Sequence, residues 1–184
     1  MNIFKKLQKD DMVNIDEWID GYGVTYSADK KRLIKGNYSL TENPIIEGCE
    51  IINDFAFRQC EKLTNVVIPN TVTSIEWGAF YGCTGLTSVS IPNNVKSIGK
   101  VAFVRCRNLS KITIGNSVIS IGNFAFCYTE LKEIHFKSQI PPQIGRDSLG
   151  YTFHLLTNDC KLYVPKGTKK AYQEAWSFEN IIEE

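Results

Sequence analysis

Six cysteines and two histidines carry most of the side-chain chemistry open to this sequence. Cys60, Cys83 and Cys106 stand 23 residues apart, with Cys49, Cys127 and Cys160 outside that column. If the spacing is a structural repeat, column cysteines on adjacent coils fall near the Cα separation that a disulfide allows. There is no C-x-x-C pair, and no histidine stands at zinc-ligand spacing from a cysteine. The expected state is a column of buried free thiols packing as small hydrophobes. His135 and His154 are too few and too far apart in sequence for a metal motif, so neither a metal nor a cofactor is expected. The chain has no G-x-S-x-G, no G-x-x-x-x-G-K-[ST] and no G-x-G-x-x-G, and no catalytic residues are assigned. Asn37-Tyr38-Ser39 and Asn108-Leu109-Ser110 match the glycosylation sequon, a pattern that matters only in a glycosylating secretory pathway.

The element that positions these residues is a repeat. Phe57, Phe80, Phe103 and Phe126 follow one another at steps of 23, as do Ala56, Ala79, Ala102 and Ala125. Ile52, Ile75, Ile98, Ile121 and Ile144 keep the same step. A fixed period of this length is the signature of a stacked-coil solenoid. Within the coil that ends at Val95, Ile75 to Cys83 is too short for a long helix and reads as a helical turn or two. Leu86 to Ile91 is β-prone, with Val89 and Ile91 alternating with Ser88 and Ser90. Pro92 ends that strand, since it cannot donate to a ladder. The inward set is Ile75, Ala79, Phe80, Cys83, Leu86, Val89, Ile91 and Val95. One coil cannot bury this set alone, whereas coils stacked ~4.8 Å apart can.

The ends depart from the period. Residues 1–21 read as an N-terminal cap segment, with Ile3, Phe4 and Leu7 at helical spacing followed by an acidic run. Residues 22–50 hold a hairpin, Val24 and Tyr26 facing Leu33 and Ile34 across Ser27 to Lys30, and an irregular first coil in which Pro44 is out of step with Pro69 and Pro92. The regular repeats run from 51 to 149. Residues 150–184 form a C-terminal cap, containing an inserted loop, Tyr151 to Asp159, a last strand at Leu162 to Pro165, and a helix from Thr168 to Trp176 that places Tyr172 and Trp176 on one face. The whole is expected to be one α/β solenoid domain with a parallel sheet.

The frame I-G-x-x-A-F-x-x-C-x-x-L-x-x-V-x-I-P-x-x-V resembles the BspA-like, or treponemal-type, bacterial leucine-rich repeat. Ile98-Gly99, Ala79-Phe80, Cys83, Leu86, Val89, Ile91-Pro92 and Val95 carry the likeness, with YSADKKRLIKG and YVPKGTKKAYQEAW matching the family's opening hairpin and closing segment. The resemblance implies a right-handed solenoid, a role in protein binding or cell-surface adhesion, and no catalytic residues.

Composition narrows the partners. With 21 basic and 20 acidic residues, net charge is +1, and nothing points to nucleic acid or an anionic membrane. No apolar run approaches the ~18 residues of a membrane span. The first twenty residues lack an apolar h-region, which favours a cytoplasmic location, while the resemblance favours the cell surface. A protein partner remains, and the outward strand positions are where it is expected to dock: Lys111, Thr113, Glu133, His135, Lys161 and Tyr163, following the blander Asn65, Val67, Ser88 and Ser90. The rival surface is the loop Tyr151 to Asp159, and the rival role is a structural or adhesive unit without a discrete ligand.

Overall fold

The computed structural model describes residues 17–145, 159–176 and 178–184. The stretch around Ile3, Phe4 and Leu7 and all of the inserted loop before Asp159 lie outside them. Three strands open the fold: β1 (Glu17–Ile19), β2 (Thr25–Ser27) and β3 (Arg32–Lys35). They pair antiparallel, with Tyr26 opposite Leu33 and Thr25 opposite Lys35. The turn expected at 27–30 is closed by Asp29, which accepts from Ser27 Oγ at 2.6 Å and from the Lys31 amide at 3.0 Å. Val24, Tyr26 and Leu33 are fully buried, but Ile34 is only half-buried and stands outside the core.

Two strands per coil follow. In order they are β4 (Glu42–Pro44), β5 (Ile51–Ile52), β6 (Asn65–Val67), β7 (Ser74–Ile75), β8 (Ser88–Ile91), β9 (Ser97–Ile98), β10 (Lys111–Ile114), β11 (Ser120–Ile121), β12 (Glu133–Phe136), β13 (Gln143–Ile144) and β14 (Lys161–Val164). Helix α1 (Lys169–Trp176) and β15 (Ile181–Glu183) end the chain. The two-residue strands join the hairpin in an eight-stranded sheet, β1-β2-β3-β5-β7-β9-β11-β13. The longer strands make a five-stranded parallel sheet, β15-β14-β12-β10-β8, and β4 pairs with β6 apart from it. Parallel pairing of like positions reproduces the sequence period, as in Ile112 opposite Val89 and Ile134. Pro44 lies opposite Val67 on the edge strand β4, where its missing amide costs no ladder bond.

The inward set read from the sequence is the core. Ile75, Ala79, Phe80, Cys83, Leu86 and Val95 are fully buried, with Val89 and Ile91 nearly so. Phe57, Phe80, Phe103 and Phe126 stack face to face at centroid separations of 4.9, 5.0 and 5.5 Å. At the C-terminal end Phe136 meets Tyr172 and Trp176, whose polar tips donate to Ser138 O at 2.9 Å and Pro142 O at 3.2 Å. The amide of Lys169, at the start of α1, donates to Glu183 Oε1 at 2.9 Å, which puts a carboxylate at the positive end of the helix dipole.

The segment expected to be a helical turn is instead a run of tight turns. Ala56, Arg58 and Cys60 amides bond three residues back, to Asn53, Phe55 and Phe57. The alternate amides, Phe55, Phe57 and Gln59, reach the next coil at Trp77, Ala79 and Tyr81 over 2.7–2.9 Å. Turning every second amide outward requires left-handed backbone, found at Phe55, Gly78, Val101 and Phe124 and again at Gln59, Gly82, Arg105 and Tyr128. These columns also keep the period. Glycine is needed at 78 for space too, since a Cβ there would stand 2.5 Å from the Phe55 ring.

All six cysteines are buried free thiols. The Cys83 and Cys106 thiols donate to Phe57 O at 3.0 Å and Phe80 O at 3.1 Å in the neighbouring coil. Thr129, which replaces cysteine in the fourth coil, donates to Phe126 O at 2.7 Å instead. Burial pushes the Cys60 thiol up to about 12 and the Cys160 thiol up to about 11, so few thiolates exist near neutral pH. Iodoacetamide should therefore label the native protein slowly. Mass spectrometry after labelling in denaturant without reductant should count six adducts, and a Cys60–Cys83 or Cys83–Cys106 bridge in that spectrum would contradict the thiol ladder.

Candidate functional site: the outward face of the five-stranded sheet

Alternation along the strands leaves two outward rows. One holds Ser88, Lys111, Glu133 and Lys161, and the other Ser90, Thr113, His135, Tyr163 and Ile182. Lys111 and Lys161 are exposed, whereas Thr113, Glu133, His135 and Tyr163 are half-buried. The register thus brings all six sequence-assigned residues onto one continuous patch spanning β10, β12 and β14.

His135 is the centre of that patch. Its ring stacks on Tyr163 with centroids 4.2 Å apart and planes 2° from parallel. Nε2 lies 3.3 Å from Glu133 Oε2 and Nδ1 lies 3.1 Å from Glu184 Oε1. A neutral imidazole can donate to one of these carboxylates, and an imidazolium to both. The network extends through Lys111, 2.8 Å from Glu133, and Lys137, 3.2 Å from Glu184. Lys111, then His135, hold the Glu133 carboxyl below its ordinary range. His135, then Lys137, do the same for Glu184. The Lys111 ammonium is raised in turn by its bond to Glu133. The side chain of His135 keeps only 13% of its surface in solvent, and the Tyr163 ring and the two carboxylates hold it in place.

Sequence reasoning missed Glu184, Lys137 and Ile182. The short strand β15 carries no repeat frame, and nothing in Ile181-Ile182-Glu183-Glu184 announces a further sheet strand. The sequence also gave no sign of the lapse between β6 and β8, which belong to different sheets. A groove of ≈ 720 Å³ lies there, with Asn65, Ser88, Ser90 and Thr113 in its walls. Thr113 separates Ser90 from His135 in the register, so no serine adjoins the imidazole along that row. Among the described residues, no group of three or more His, Cys, Asp or Glu side chains could hold a metal ion, and no helix is long and apolar enough to cross a membrane.

A family model described as BspA type leucine rich repeat region matches residues 50–181 in six copies. Among solved structures, the pneumococcal vaccine antigen PcpA is similar over 88% of this chain and 46% of its own, at 25% identity and a TM-score of 0.65. A leucine-rich repeat protein from Eubacterium ventriosum is similar over 67% of this chain and 36% of its own, at 22% identity and a TM-score of 0.51. One from Bacteroides ovatus is similar over 81% and 35%, at 24% identity and a TM-score of 0.50. This chain spans less than half the length of each of these three. No curated protein sequence matches it.

Proposed function

The chain belongs to the BspA-type bacterial leucine-rich-repeat family, and on that premise we propose that it is a non-catalytic protein-binding module. Its partner docks on the C-terminal half of the five-stranded sheet, across Lys111, Thr113, Glu133, His135, Lys161 and Tyr163. The observation that carries this reading is the ordered His135–Tyr163 stack between Glu133 and Glu184. Core packing fixes the inward columns to apolar residues in every coil, but it places no such demand on the outward rows. Those rows are small and uncharged at β8 and become charged and aromatic at β10, β12 and β14. Tyrosine is enriched at interface anchors, and a side chain already held in place loses little entropy on binding.

Membership of this repeat family is also consistent with a second reading, an adhesive unit of a cell surface with no discrete ligand. One experiment tests both: failure to isolate a discrete protein partner supports the adhesive unit, and a partner that is isolated locates the site. A protein partner is isolated from the source organism and titrated against the parent and a His135→Ala, Tyr163→Ala double variant. The double variant should bind at least ~1 kcal/mol more weakly, with little change in melting midpoint. Equal affinity for the two proteins would sink the sheet-face site and turn attention to the loop Tyr151 to Asp159.

A further inference from the structure

The arc of turns carries a second ordered surface, separate from the sheet face. Arg58 and Tyr81 occupy the same column in successive coils, and Arg105 stands one coil further on in the adjoining left-handed column. The guanidinium of Arg58 lies 5.3 Å from the Phe55 ring and 5.9 Å from the Tyr81 ring. That of Arg105 lies 5.9 Å from the same tyrosine. Tyr81 is thus shared by two arginines, and Phe55 in turn packs 4.7 Å from Trp77.

These cations have no carboxylate to answer them. Among the described residues, the guanidinium of neither Arg58 nor Arg105 forms an ion pair or a hydrogen bond. Over the three arcs at 53–62, 76–85 and 99–108 there are five cations against three carboxylates. Two of those carboxylates are already engaged, Asp54 with the Trp77 amide and Glu76 with Ser74 Oγ. Cation–π attraction holds an arginine against a ring without using the N–H groups of its fork, which remain available to a bidentate carboxylate. Trp77 and Tyr128 flank the pair at 50% and 53% exposure. Tryptophan, tyrosine and arginine are the residue types that dominate interface hot spots.

We propose that this arc is a docking surface for an acidic protein segment. The segment's carboxylates take the forks of Arg58 and Arg105, and its apolar side chains cover Trp77 and Tyr128. This goes beyond the sheet-face reading and stands without it.

The probe is a capped synthetic peptide of glutamate and tyrosine, titrated by fluorescence anisotropy at low and at physiological salt, with heparin titrated in parallel. The parent should bind the peptide, and an Arg58→Ser, Arg105→Ser variant should lose at least about tenfold in affinity, roughly 1.4 kcal/mol. Both residues are exposed, so its melting curve should overlay the parent's. An Arg58→Lys, Arg105→Lys variant keeps the charge and loses the fork, and should fall between the two. The His135→Ala, Tyr163→Ala variant should bind this peptide as the parent does, which keeps the two surfaces distinguishable. The proposal is overturned if the serine variant binds the peptide as tightly as the parent. It is equally overturned if heparin binds while the peptide does not, since the arc would then be a site for sulfated polysaccharide.

Discussion

Replacing Phe103 by alanine is expected to lower the unfolding free energy by ~3–5 kcal/mol, the range for deleting a fully buried aromatic. The ring is inaccessible to solvent and lies between Phe80, 5.0 Å away and 4° from parallel, and Phe126, 5.5 Å away and 14° from parallel. Its removal opens a void bounded by two other coils as well as its own. Those coils cannot close on it, because Phe103 N–H to Ala125 O at 2.8 Å and Phe80 N–H to Ala102 O at 2.8 Å fix the spacing of the backbones. A void that cannot collapse costs both the lost transfer energy and the lost contacts of its walls. In a stack held by nearest-neighbour interfaces, such a loss weakens both junctions of the coil. Against a total stability of about 5–15 kcal/mol, the effect is large. Phe80→Ala should behave alike, while Phe57→Ala, at the end of the ladder, should cost less. Urea denaturation at neutral pH measures all three, and a loss under ~1 kcal/mol for Phe103→Ala would mean that the ladder does not hold the coils together.

That ladder was legible because packing writes it directly into the sequence. A buried ring needs a ring or an apolar side chain above and below, so Phe57, Phe80, Phe103 and Phe126 recur at one step, and so do Val66, Val89 and Ile112. The hairpin was legible for the same reason, through the burial of Val24, Tyr26 and Leu33. The turn arc was not. Its backbone is set by amide bonds between coils, which select conformation and not residue type. Phe55, Val101 and Phe124 therefore sit in left-handed backbone that their side chains disfavour. Gly78 and Gly82 hinted at this, but in one coil only. Two-residue strands such as Ser74–Ile75 are also too short for alternation to reveal, which hid the eight-stranded sheet. At the site, alternation alone placed His135, Lys161 and Tyr163 outward. It could not supply Glu184, whose place depends on β15 pairing with β14.

The buried thiols should make the fold sensitive to alkali. A thiol whose pKa is raised by folding stays protonated in the native state after the unfolded chain has ionised. Cys60 is pushed up from 9.0 to about 12, and Cys160 from 9.0 to about 11, both by burial. Cys83 is also held well above 9.0, first by its contact with Cys106 and then by burial. Below pH 9 both states keep these protons, and stability does not depend on them. Above it the unfolded state binds fewer protons than the native one, so stability falls as pH rises. The slope is about 1.4 kcal/mol per pH unit for each such thiol, and it persists until the native pKa is reached. Tyr26, raised from 10.0 to about 12 by burial, adds its own slope above pH 10. Two or three thiols titrating together from pH 9 to pH 11 should therefore remove several kcal/mol, on the order of the total stability. Urea midpoints measured between pH 8 and pH 10.5 should fall steadily, starting near pH 9. Cys160→Ala should flatten the slope by about one proton's worth whatever its effect at pH 7, because the change in slope reports ionisation and not packing. A midpoint that stays constant to pH 10.5 would mean that the column thiols ionise as readily in the native protein as in the unfolded chain, and that the dry core drawn around Cys60, Cys83 and Cys160 admits water.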